Sequence, residues 1–205
     1  KVAEQTAALR LALDNIKNAS LDTIHRLTRA VEYRDEDTGV HIVHMSHYAA
    51  AVARRMGQND SVVELLLYAA PMHDVGKIGI PDYILLKPGK LDAAEWEIMK
   101  THTTIGGKIL EGANSELIQF ARVIALTHHE KWDGSGYPKG LKGEEIPLEG
   151  RVTAIADVFD ALTSKRPYKV AFPLEQAYEV IKAFRGRHFA PNVVDAFFAA
   201  EDEIL

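Results

Sequence analysis

The side chains with the most chemistry in this sequence are its histidines. There are nine in 205 residues, and several stand next to an acid. The stretch "THHEKWDGSGYP" (127–138) sets His128 and His129 directly before a loop of turn residues, and "HDVGK" supplies His73, Asp74 and Lys77. His41 follows Asp37 by four positions, His102 stands in "MKTHTTIGG", and Asp157 interrupts the apolar run "AIADVFDALTS". A lone histidine in a helix is more often a core or surface residue than a ligand. The argument lies in convergence. A buried ionised Asp is costly unless it is paired or bound to metal. Several such groups, each on or beside an apolar stretch of a different helix, are best explained by metal ions held in a bundle core. Neighbouring residues on a helix point about 100° apart, so His73 and Asp74 do not chelate one ion together. They can serve two adjacent ions, with Asp74 as the bridging carboxylate. The paired His128 and His129 end a helix, where both can turn to one ion and the following loop edges the site.

The chain offers no sulfur for such a site. With no cysteine, disulfides and thiolate metal centres are excluded, and the ligands must be His, Asp, Glu or backbone oxygen. The lack of disulfides fits a cytoplasmic protein. The composition is that of a globular protein, 47% hydrophobic and 26% charged, with a net charge of -5 that argues against a broad nucleic-acid surface. No run of about 18 apolar residues predicts a membrane span. The opening "KVAEQTAALR" lacks the apolar centre of a signal peptide and reads as an internal cut from a longer protein.

The elements that must position the candidate ligands are helical almost throughout. Residues 1–31 carry Leu9, Leu13, Ile16, Leu21, Ile24, Leu27 and Val31 at helical spacing. Such a helix can link to an upstream domain, pair with its copy, or pack on its own domain. Further helices are predicted over Thr38–Met56, stopping at Gly57, and from a cap at Asn59 or Asp60 to His73. A turn-rich connector with a short helix follows in "IPDYILLKPGKL". Asp92 with Glu95 forms a capping box for a helix reaching Leu110. Ser115–His129 is the next helix, residues 131–150 are one long irregular loop, and helices over 151–164, 173–186 and 191–203 close the chain. Strand alternation is nowhere sustained.

In this order and spacing, "HDVGK", "KPGKL", "HHEKWDGSGYP" and "AIADVFDALTSKRPYK" resemble the HD-GYP domain. This is a branch of the HD metal-dependent phosphohydrolases whose active members hydrolyse the bacterial second messenger cyclic di-GMP. The resemblance covers residues 22–203 and implies an all-α helical bundle with a metal site in its core. Residues 1–21 would then be a linker helix from an upstream domain. The resemblance carries the family's metal ligands onto His41, His73, Asp74, His102, His128, His129 and Asp157. It implies two or three divalent ions, iron or manganese first, with zinc, nickel or cobalt as alternatives. The acid serving a third ion is usually Glu in an E-T-G-x-H pattern; here "DTGVH" supplies the shorter Asp37. His44 stands where the family has Arg, and with His47 it reads as a spectator. On the substrate side Lys77 would meet the scissile phosphate, and Asp160, Arg166 and Lys169 match positions near the ligand. Tyr137 is open to stacking on guanine, bonding the backbone, or helping a partner protein dock.

The implied activity is hydrolysis of cyclic di-GMP to pGpG or GMP by a hydroxide shared between metals, with Asp74 and Lys77 as the catalytic residues. A related substrate such as cyclic GMP-AMP, and a binding module without turnover, are the competing readings. The implied partners are an upstream sensor or receiver domain, a second copy through the N-terminal helix, and a protein at the GYP loop.

Overall fold

The computed structural model describes residues 2–34, 41–164 and 171–204. Asp37, Arg166 and Lys169, with the expected helix start at Thr38, lie outside those residues. Among the described residues eleven α-helices follow one another: α1 (Val2–Glu32), α2 (His41–Arg55), α3 (Asp60–Ala69), α4 (Asp82–Leu85), α5 (Ala93–Lys100), α6 (His102–Ile109), α7 (Glu116–Thr127), α8 (Leu148–Thr163), α9 (Leu174–Ala183), α10 (Pro191–Ala199) and α11 (Glu201–Ile204). Among the described residues there is no strand, only an isolated bridge between Arg185 and Phe189. No described helix is long and apolar enough to cross a membrane.

Helix α2 is the axis of the core. Its run Ala49–Ala53 is buried, and small side chains let α3, α8 and α10 approach it closely. Phe159, Phe189 and Phe197 fill the space between these helices. Truncating one of them to Ala would cost about 3–5 kcal/mol. α2 ends where Gly57 takes a φ of 75°, with Gly57 N–H donating to Arg54 O and Gln58 N–H to Ala53 O. This is the glycine-dependent helix stop expected there. Asn59 caps α3 by accepting from Val62 N–H at 3.0 Å. Asp92 and Glu95 form the expected reciprocal capping box on α5.

The helix expected over 173–186 is shorter (Leu174–Ala183) and the one over 191–203 divides at Ala200, and two further expected helices break where it matters to the site. α3 stops at Ala69 and passes into 3-10 turns over Ala70–Met72 and Val75–Gly79, because Pro71 has no N–H to continue the α ladder. His73 and Asp74 therefore sit in a tight turn, not on a regular helix. The helix expected over 92–110 divides at Thr101 into α5 and α6. Thr101, Thr103 and Thr104 turn their hydroxyls back onto the carbonyls of Ile98, Lys100 and Thr101. Such side-chain bonds compete with the helix ladder and bend it. The loop after residue 130 also contains a 3-10 turn, Gly143–Glu145, and α8 begins three residues earlier than expected, after Pro147.

α1 runs without a break across residues 21 and 22. Its last third packs on the domain through Ile24, Thr28 and Val31, and Lys17 pairs with Glu64 at 2.6 Å. Leu9, Leu13, Ile16 and Leu27 remain exposed.

Candidate metal centre

The ends of these elements converge on one cavity. Asp74, His102, His128 and His129 form one group of potential ligands, and His41, His73 and Asp157 form a second. Within each group the ligand atoms all lie within 4.8 Å of one another. Asp74 connects the groups. Its Oδ1 stands 3.2 Å from His102 Nε2 and 3.5 Å from His128 Nε2, while its Oδ2 stands 3.2 Å from His73 Nε2. Lys77 Nζ lies 2.9 Å from the same Oδ2.

The local backbone aims these rings. His73 Nδ1 hydrogen-bonds Ala70 O at 3.0 Å, His102 Nδ1 bonds Met99 O at 2.7 Å, and His128 Nδ1 bonds Ile124 O at 3.0 Å. A carbonyl only accepts, so each Nδ1 carries a proton and each Nε2 is the ring nitrogen turned toward Asp74. Those three Nε2 atoms are buried without a hydrogen-bond partner, as is Asp74 Oδ1. Buried polar atoms without partners are rare. Four of them clustered around the Asp74 carboxylate fit cations, and the N/O donor set suits divalent transition metals.

Gly76 explains why the "HDVGK" turn can approach α6. A Cβ there would lie 1.9 Å from His102 O and 2.4 Å from Gly106 N. Gly136 does the same for the loop: a Cβ would fall within 2.6 Å of the backbone of residues 129–131. Glu130 clamps that loop by accepting from Lys139 N–H at 2.8 Å and Leu141 N–H at 3.0 Å.

The charges are strongly coupled. Burial lowers the His41 pKa, but the hydrogen bonds and charges of Asp157 and Asp160 win and raise it to about 10. Burial likewise opposes, and Asp74 overcomes, a rise in His73 to about 9. Burial pushes Asp74 and Asp157 up. Lys77 and the histidines nonetheless hold Asp74 well below the ordinary carboxylate range, and the His41 bond and His73 charge do the same for Asp157. His128 and His129 are lowered, first by burial, so they are neutral and ready to ligate near neutral pH.

Of the expected substrate residues, Lys77 and Tyr137 line the cavity. Asp160 lies deeper. It has no exposed surface, and its Oδ2 lies 2.5 Å from His41 Nδ1, so in this structure its contact is the His41 ring. His44 Nδ1 approaches the other oxygen of Asp160 at 3.4 Å, and His47 is in neither ligand group. Sequence reasoning missed Glu32, which is buried and lines the cavity beside Lys77 at the end of α1. It also missed the apolar wall of Leu91, Trp96 and Met99. The only signal for Glu32 was an acid in the buried turn after Val31.

Residues 7–193 match the family of the HD domain. The chain belongs to the HD domain family. Within it the chain is of the HD-GYP type. It is 50% identical over 183 residues to a cyclic di-GMP phosphodiesterase of Thermotoga maritima, covering 89% of this chain and 50% of that protein. It is 47% identical over 191 residues to 3'3'-cGAMP-specific phosphodiesterase 2 of Vibrio cholerae, covering 93% of this chain and 37% of that protein. This HD-GYP domain thus spans half or less of the length of these curated relatives. Its fold is similar to that of Bd1817, a HDG"Y"P protein from Bdellovibrio bacteriovorus, with a TM-score of 0.65 at 19% identity over 90% of this chain and 63% of that one.

Proposed function

We propose that this HD-GYP domain is a metal-dependent phosphodiesterase that hydrolyses cyclic di-GMP to linear pGpG, and to GMP if a second cut follows. The observation that carries this reading is Asp74, whose two oxygens face two groups of potential ligands with Lys77 alongside. His41, His73 and Asp157 would hold one ion and His102, His128 and His129 another, with Asp74 shared between them. Iron or manganese fits this donor set, as do zinc, nickel and cobalt. Bound there, such ions lower the pKa of water enough to supply a nucleophile near neutral pH and polarise the phosphoryl oxygens.

The chain's own residues do the rest. The Nδ1–carbonyl bonds hold the imidazoles in one tautomer and one direction, so no reorganisation is needed during reaction. Lys77 brings a positive charge to the cavity floor, where charge gathers on the phosphoryl oxygens in the transition state. Its ammonium can also give a proton to the departing 3′ oxygen. Arg166 and Lys169 are proposed as phosphate contacts from the segment after α8. Asp37 is proposed as the acid for a third ion.

Cyclic GMP-AMP is the second reading, and the 47% identity to a 3'3'-cGAMP-specific phosphodiesterase favours it. Comparing turnover of the two cyclic dinucleotides by metal-loaded protein, with products separated by chromatography, decides between them. A binding module without turnover is less favoured, because every ligand position that the resemblance implies is filled in this sequence. The relatives' greater length supports an upstream sensor or receiver domain joined through residues 1–21, and a cytoplasmic setting goes with it. The exposed Leu9, Leu13, Ile16 and Leu27 on α1 support pairing with a second copy. A partner protein at the GYP loop is proposed on the same resemblance.

A further inference from the structure

The cavity, of about 300 Å³, has two unlike sides. Its floor is ionic, made by the ligand groups and Lys77. Its other wall is apolar and aromatic, built from Leu91, Trp96, Met99 and Tyr137. Cleaving a phosphate ester needs the floor alone, so the wall calls for its own explanation. α5, which carries Trp96 and Met99, buries none of its residues. Trp96 is 46% exposed, so the core does not account for it. Its ring meets Tyr137 edge-on, with centroids 6.1 Å apart and an interplanar angle of 81°. Tyr137 in turn stacks on His129 at 4.8 Å and 29°. A row of rings therefore runs from a potential metal ligand to the cavity mouth, with a large indole at its outer end.

We propose that Trp96 is a stacking residue for a nucleobase of the substrate. The phosphodiester sits over Asp74 and Lys77, and an adjoining base lies on the indole. This rests on the phosphodiesterase reading and adds to it the contact that separates nucleotides from base-free phosphate esters. Every base has a π face, so stacking tolerates guanine and adenine alike. Trp96 therefore contributes to binding of both cyclic di-GMP and cyclic GMP-AMP and does not choose between them.

The test is steady-state kinetics of metal-loaded wild type, Trp96→Ala and Trp96→Phe on both dinucleotides, with metal content and Tm measured on each protein. Trp96→Ala is expected to raise KM about 5- to 150-fold. kcat moves less than KM, because the lost contact binds ground state and transition state alike. Trp96→Phe recovers most of the loss, and metal content and Tm stay at wild-type levels. An unchanged KM in Trp96→Ala overturns the proposal. So does a defect confined to one dinucleotide, or one that tracks lost metal. Wild-type protein that cleaves neither dinucleotide would remove the phosphodiesterase reading and this inference with it. Wild-type turnover with an unmoved KM removes this inference alone.

Discussion

His41 Nδ1 stands 2.5 Å from Oδ2 of Asp160, a carboxylate with no exposed surface. The ring's other nitrogen, Nε2, faces Asp157 at 3.4 Å. Asp160 thus fixes which nitrogen of His41 is turned toward Asp157, the nitrogen that would be offered to an ion in the proposed centre. Partners that orient a ligand ring in this way typically account for 10- to 100-fold in metal affinity. Asp160→Asn is expected to weaken metal retention by about that factor, measured by competition with a graded chelator. Unchanged retention would mean that Asp160 does not act through His41.

Lys77 has a different signature. It is no ligand, so Lys77→Met should keep its ions while kcat falls about 10²–10³-fold, as for loss of one aimed charge-stabilising group. Metal analysis and product chromatography on the same sample separate the two effects. A variant that loses metal and activity in parallel would show that Lys77 chiefly holds Asp74 in place.

The close approach of the "HDVGK" turn to α6 predicts a graded pair of variants. Gly76→Ala pushes a methyl into the backbone of His102 and Gly106, and is expected to cost about 3 kcal/mol or more. At Gly79 the nearest atoms belong to the Ile105 side chain, 3.0 Å from the added Cβ, and that side chain can move. Gly79→Ala should therefore lose less stability in urea melts. Equal losses would mean that the backbone between residues 74 and 79 shifts freely.

The coupled charges set a pH dependence for the metal-free protein. His41 is raised to about 10 and His73 to about 9, against about 6.5 in an unfolded chain. A raised pKa means that the folded state holds the proton more tightly. That stabilisation is complete below about pH 6.5 and disappears as pH climbs through 9 to 10. The same protons must leave when ions bind, so metal affinity moves the other way and rises with pH. Chelator-treated protein should show a Tm that falls between pH 7 and 10, and adding the ion at pH 7 should release protons into solution. A flat profile without proton release would mean that these rings are already neutral in the folded protein.

Much of this architecture is legible in the sequence, because strong local signals agree with the fold. The Asn59 cap, the Asp92–Glu95 capping box and the Gly57 stop all do in the structure what their residue types predict. Periodicity also set the helical class. It could not locate the breaks at Pro71 and Thr101. A single apolar stripe runs through both, and the break is made by a missing N–H in one case and by threonine hydroxyls in the other. The potential ligands were found because each is a polar residue inside or beside an apolar run. Asp160 fits that pattern too, but its role depends on the facing helix α2, which the sequence of α8 cannot reveal. Glu32 and Trp96 escaped notice for a related reason. Glu32 ends α1 and Trp96 stands midway along α5, and only the tertiary fold brings them to the cavity.

The most direct test of the central claim is hydrolysis of cyclic di-GMP by protein loaded with ferrous iron or manganese without oxygen, run beside His73→Ala with metal content measured on both. The account predicts pGpG or GMP from the wild type, and loss of both metal and product from the variant. Full turnover by a His73→Ala protein, or a metal-loaded wild type that leaves cyclic di-GMP and cyclic GMP-AMP intact, would contradict it.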